Sequence, residues 1–91
     1  MIYEKIRVEV NTMLTRSGEI RPVSLVWKNG RRIPIDQVLK VSWGQLGLCG
    51  IVGRRYTCRI LGETGDLYYE DATGLWYIER ACKDRGRIRS A

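Results

Sequence analysis

The chain has 91 residues, a hydrophobic fraction of 44% and a formal net charge of +6. That length allows one small domain around a single core. Histidine is absent, which removes the commonest general base, and three cysteines without a C-x-x-C pair argue against a secreted disulfide framework.

Met1–Val10 alternates, with Ile2, Ile6, Val8 and Val10 on one side and Lys5, Arg7 and Glu9 on the other. That is the period of a half-buried strand, not the apolar region of a signal peptide. No apolar run approaches the roughly 20 residues that cross a bilayer, so a reduced, cytoplasmic protein is expected. Thr15–Glu19 has loop composition. Pro22–Lys28 reads as a second strand, with Val23, Leu25 and Trp27 sharing a face. A two-residue Asn29-Gly30 turn would oppose Val26 to Ile33 and mix the faces. A three-residue loop over 28–30, with Gly30 in a left-handed bulge, opposes Leu25 to Ile33 and Val23 to Ile35 instead. Pro34 places the next segment at an edge or bend. A bend near Asp36–Gln37 then leads into a strand from about Val38 to Trp43, with one helical turn as the competing reading. Gly44–Gly53 carries glycine at every third position and is expected to be a loop lying against the core.

Arg54–Arg80 organises the rest as a three-stranded meander. Its runs are Arg54–Leu61, Asp66–Glu70 and Leu75–Arg80, with turns expected over 62–65 and 71–74. Parity tests the register, because a one-residue slip turns every side chain to the other face. Pairing Ile60 with Leu67, and Tyr69 with Trp76 across a four-residue second loop, gathers the apolar side chains. Tyr56, Cys58, Ile60, Leu67, Tyr69, Trp76 and Ile78 then share one face. The opposite face carries Arg55, Thr57, Arg59, Tyr68, Glu70, Leu75, Tyr77 and Glu79. Arg59, Tyr68 and Tyr77 are expected to form one row across it.

The expected fold is all-β: a small, strongly bent antiparallel sheet or half-open barrel of about six strands, with the three-stranded meander at its C-terminal end. Residues 1–80 form the domain, and the basic stretch 81–91 is expected to be a tail. Trp27, Asn29-Gly30-Arg31-Arg32, Val38-Leu39, Arg55–Ile60, Leu67–Asp71 and Trp76–Arg80 together resemble a family of small uncharacterised bacterial proteins common in Firmicutes. They are similar also to an actinobacterial domain of unknown function sometimes encoded near error-prone DNA polymerases. The resemblance covers roughly residues 5–80. It implies no catalytic residues, and that neighbourhood points to a nucleic-acid role.

No nucleophile elbow, P-loop or dinucleotide fingerprint is present. Glu70 and Asp71 are adjacent and face opposite ways on a strand. Cys49, Cys58 and Cys82 lie too far apart for a zinc site. An enzyme, a metal and a cofactor are therefore not expected. The glycine-rich loop before Arg54-Arg55 reads first as a flexible connection, and only secondarily as a phosphate cradle. The stronger candidate is single-stranded DNA or RNA binding on the outer meander face. Arg55 and Arg59 would meet phosphates and Tyr68 and Tyr77 would stack on bases, with Arg85, Arg87 and Arg89 of the tail adding charge. The alternative is a protein-interaction or homodimerisation module, with Tyr68 and Tyr77 as a second core face or part of an interface.

Overall fold

The structure, a computed structural model, describes residues 3–81. Its strands are β1 (Tyr3–Leu14), β2 (Ile20–Val26), β3 (Arg32–Pro34), β4 (Gln37–Leu46), β5 (Ile51–Ile60), β6 (Glu63–Glu70) and β7 (Leu75–Ala81). They form one antiparallel sheet in the order β3-β2-β1-β7-β6-β5-β4, with no helix among the described residues. The sheet curls into a half-barrel. β1 is the long spine: its first half pairs with β7 and its second half with β2.

The concave side holds the core. Val8, Leu25, Tyr56, Cys58, Leu67 and Trp76 are buried together, with Ile6 and Ile78 facing one another across β1 and β7. Trp76 lies 5.2 Å from the Tyr56 ring and 5.1 Å from that of Tyr69, both tilted. Such pairs add about 0.5–1.5 kcal/mol beyond area burial. The curl brings β5 to β2 without sheet pairing. The Tyr56 hydroxyl donates to the Ile20 carbonyl at 2.9 Å and accepts from the Arg54 guanidinium at 3.2 Å.

The hairpin after β2 has the expected geometry. Leu25 faces Ile33, the Trp27 amide donates to the Arg31 carbonyl, and Gly30 takes φ 82°. Val23 keeps its expected partner, the Ile35 amide donating to its carbonyl at 2.9 Å, but its side chain does not share the buried face of Leu25. A bulge opposite Asn11–Thr12 turns it outward to 43% exposure, so Pro22 is buried in its place. After Pro34 the chain bends, the Asp36 amide donates to the Arg59 carbonyl, and β4 begins at Gln37.

The meander corrects the expected first turn. The chain reverses at Leu61-Gly62, with φ 52° and 79°, so Ile60 faces Glu63 and Tyr56 faces Leu67. Two consecutive positive φ values give the turn whose twist matches the flanking strands. The cost of placing Leu61 there is set against a longer β5–β6 ladder. The displacement is even, so each residue keeps its face. The second turn has the expected four residues, with Tyr69 opposite Trp76.

Residues 44–53 are a second correction. Gly44–Leu46 and Ile51–Gly53 are strand, and only 47–50 are turn. Gly44 and Gly53 face each other at φ 114° and 155°, and a Cβ on Gly53 would collide with the Tyr69 carbonyl. The pair bends the tip of the β4–β5 hairpin back over the convex side of the sheet.

In urea unfolding, Leu67→Ala should cost about 2–5 kcal/mol, because Leu67 is 1% exposed. Tyr56→Phe should cost about 0.5–1.5 kcal/mol by removing the bond to Ile20. Val23→Ala, on the exposed bulge, should stay within about 0.5 kcal/mol. Equal losses at Leu67 and Val23 would contradict the assignment of faces.

Candidate functional site

The convex side of the meander carries the residues the sequence singles out, in a different arrangement. Tyr68 faces Tyr77 on one side and Arg55 on the other, while Arg59 lies opposite Thr64. The row therefore runs Arg55–Tyr68–Tyr77 and continues to Arg7 on β1. Arg59 is exposed and stands apart from it. Arg85, Arg87 and Arg89 lie outside the described residues.

The row is covered. Glu79, on the same face of β7, accepts the Leu48 amide at 3.0 Å and the Cys49 amide at 2.7 Å. These bonds latch the folded-back tip across β6. Ile51 is 2% exposed and Tyr68 4%, and neither belongs to the concave core cluster. They form a second, smaller apolar layer beneath the tip. Tyr68 consequently offers no ring face on which a base could stack. Tyr77 is half-buried, and the Lys5 ammonium sits 4.4 Å from its ring centroid while pairing with Glu70 at 3.4 Å. Between tip and sheet lies a cleft of about 470 Å³, bordered by Tyr3, Leu48, Arg55, Asp66 and Glu79.

Two ionisable groups report this cover. Burial pushes the Tyr68 hydroxyl above its usual range, and the Glu79 charge adds to that, while Arg55 opposes it. Burial also acts to raise the Glu79 carboxyl, but hydrogen bonds from the Leu48 and Cys49 amides, together with those from the Cys49 and Tyr68 side chains, outweigh it and hold the group below its usual value. On the concave side, burial pushes the Cys58 thiol up to about 11, so it is protonated and inert at neutral pH.

A different surface is open. β4 ends the sheet, and among the described residues no strand pairs with its outer edge. Leu39, Val41 and Trp43 along it are 42%, 37% and 62% exposed. Trp43 lies opposite Arg54, whose guanidinium sits 4.8 Å from the indole centroid and 5.1 Å from the Tyr69 ring. A bulge at Val38/Lys40 turns Leu39 out of the ladder. Between β4 and the start of β2 runs a groove of about 310 Å³. Ile20, Val38 and Val41 line it, and Tyr56 bridges it. The residue types of β4 make a strand legible, but nothing local shows that this strand is the last in its sheet.

Compared with known proteins, the chain matches no protein-family model, no curated sequence and no solved structure.

The latch should be pH-sensitive. The Glu79 carboxyl is more acidic folded than unfolded, so its stabilisation is present above the ordinary value of 4.5. It is lost as pH falls through the lower folded value. Amide exchange at Leu48 and Cys49 should therefore accelerate below that range relative to β6, and Glu79→Gln should abolish the acid-linked step. Exchange that keeps pace with β6 throughout would contradict the latch.

Proposed function

We propose that this chain is a small non-enzymatic binding domain that recognises a protein by adding an extended segment of it to β4. One observation carries the reading: among the described residues, no strand pairs with the outer edge of β4. An edge strand presents unpaired N–H and C=O groups, and soluble proteins blunt such edges with charge, proline, short length or bulges. The other edge of this sheet follows that practice, because β3 has three residues, one of them Arg32 and one Pro34. On β4 the bulge displaces only Leu39, and Lys40 is the one charge on the strand. From Val41 to Leu46 there is neither charge nor proline, and Val41 and Trp43 stand exposed beside it. Main-chain bonds to such an edge supply affinity, and alternate side chains supply specificity.

A second reading, single-stranded nucleic-acid binding, is favoured by charge. Residues 37–60 hold Lys40, Arg54, Arg55 and Arg59 and no carboxylate. Its stacking platform would be Trp43, since Tyr68 is covered and Tyr77 lies under Lys5. The apolar fringe of Leu39, Val41 and Val52 suits a protein better than a phosphate backbone.

Proline scanning separates the two. Positions 42 and 45 have opposite parity on β4, so one of them points its N–H to the open edge, and proline there spares the β5 ladder. Peptides selected from a random display library should bind the wild-type chain. They should lose at least about tenfold in affinity with whichever of Ser42→Pro and Gln45→Pro keeps the native circular dichroism. Peptide binding unchanged by that proline, or binding confined to oligonucleotides, would overturn the reading.

A further inference from the structure

The proposed β4 edge lies within a segment whose charge and face pattern are one-sided, and this bears on what could pair with it. The bulge at Val38/Lys40 sets the faces of β4. Beyond it, Val41 and Trp43 share the concave side with Tyr56 and Arg54, their partners on β5. Lys40 and Ser42 lie on the convex side with Thr57 and Arg55. Arg59 is on that side too, one strand further in, and is exposed.

A strand added to β4 alternates in the same way. Its concave-facing side chains would enter the groove of about 310 Å³ above Tyr56, against Ile20, Val38 and Val41. Those three and Tyr56 give it an apolar floor, while Glu19, Arg21 and Lys40 give it a rim of mixed charge. Its convex-facing side chains would come beside Lys40, with Arg59 about 10 Å away across two strand spacings. On β6, Asp66 is on that face and already accepts from Thr57 at 2.8 Å, whereas Glu63, opposite Ile60, is on the concave side. The far lip of the groove is the poorer template. The Ile20 carbonyl is engaged by Tyr56, and Pro22 has no N–H to give. The added strand therefore pairs with β4 in preference to that lip.

Resting on the strand-addition reading, we propose that the partner segment is an extended peptide alternating apolar and acidic residues, its apolar side in the groove and its carboxylates toward Lys40 and Arg59. A second copy of this chain fits less well. Each copy brings a segment 37–60 with four basic side chains and no acidic one, inside a chain of net charge +6. Like charges facing across an interface oppose pairing.

The test uses the full chain and three labelled probes read by fluorescence anisotropy, with Trp43 emission as a second signal. The probes are a peptide alternating isoleucine and glutamate, its isoleucine–lysine counterpart, and an oligothymidylate. The acidic peptide should bind and shift the Trp43 emission. Its binding should weaken at high salt, and it should lose at least about tenfold in affinity to the double variant Lys40→Glu/Arg59→Glu. Both substituted residues are exposed, so the fold should persist. Equal binding of both peptides would overturn the acidic preference and leave strand addition standing. Binding of neither peptide would remove both. Binding of the oligonucleotide alone would move the assignment to nucleic acid. A mass that doubles with concentration and is reduced by the proline variant would make a second copy the occupant.

Discussion

The bond from the Tyr56 hydroxyl to the Ile20 carbonyl marks how far this sheet curls and where it stops. Seven twisted strands roll until β5 approaches β2, and one side chain spans the remaining gap. Had β4 paired with β2, the barrel would have closed and no edge would remain. Instead Tyr56 occupies the carbonyl that such a pairing would use, and Pro22 lacks the amide. The seam stays open on the β4 side. The groove and the exposed flank of Trp43 are consequences of that geometry.

The second constraint is the Gly44–Gly53 pair. Both take φ values that L side chains rarely adopt, 114° and 155°, and at Gly53 a Cβ would also collide with the Tyr69 carbonyl. Their bend sends the hairpin tip across the convex face, where Glu79 receives two of its amides. This gives a thin sheet a second apolar layer. It buries Ile51 and Tyr68 and takes the central tyrosine of the outer row out of contact with solvent. The surface available to a partner thus shifts from the middle of the meander to the sheet edge.

Much of the fold was legible because side-chain alternation is local. Tyr56, Cys58, Leu67 and Trp76 share the inner face whichever even register the strands adopt, so the face assignment survives a misplaced turn. That turn was hidden because Leu61 gives no sign of accepting a positive φ, whereas Gly62 and Gly65 both suggested one. The glycines at 44 and 53 read as loop residues because a paired glycine bend has the same composition as a loop. The arrangement at the candidate site was less legible still. Glu79 meets backbone amides some thirty residues away, and amides leave no signature in side-chain chemistry. Equally, Val41, Ser42 and Trp43 spell a strand, but their exposure depends on strand order, which is set by the whole sheet.

Strand addition requires β4 to be an open edge in the free protein, which residue-resolved amide hydrogen exchange reads out strand by strand. On an unpaired edge the amides of Val41–Leu46 should alternate, those facing β5 slow and those facing outward fast, while β6 is slow throughout. Uniformly slow exchange from Val41 to Leu46 in the dilute monomer would mean that something already covers this strand, and would contradict the account.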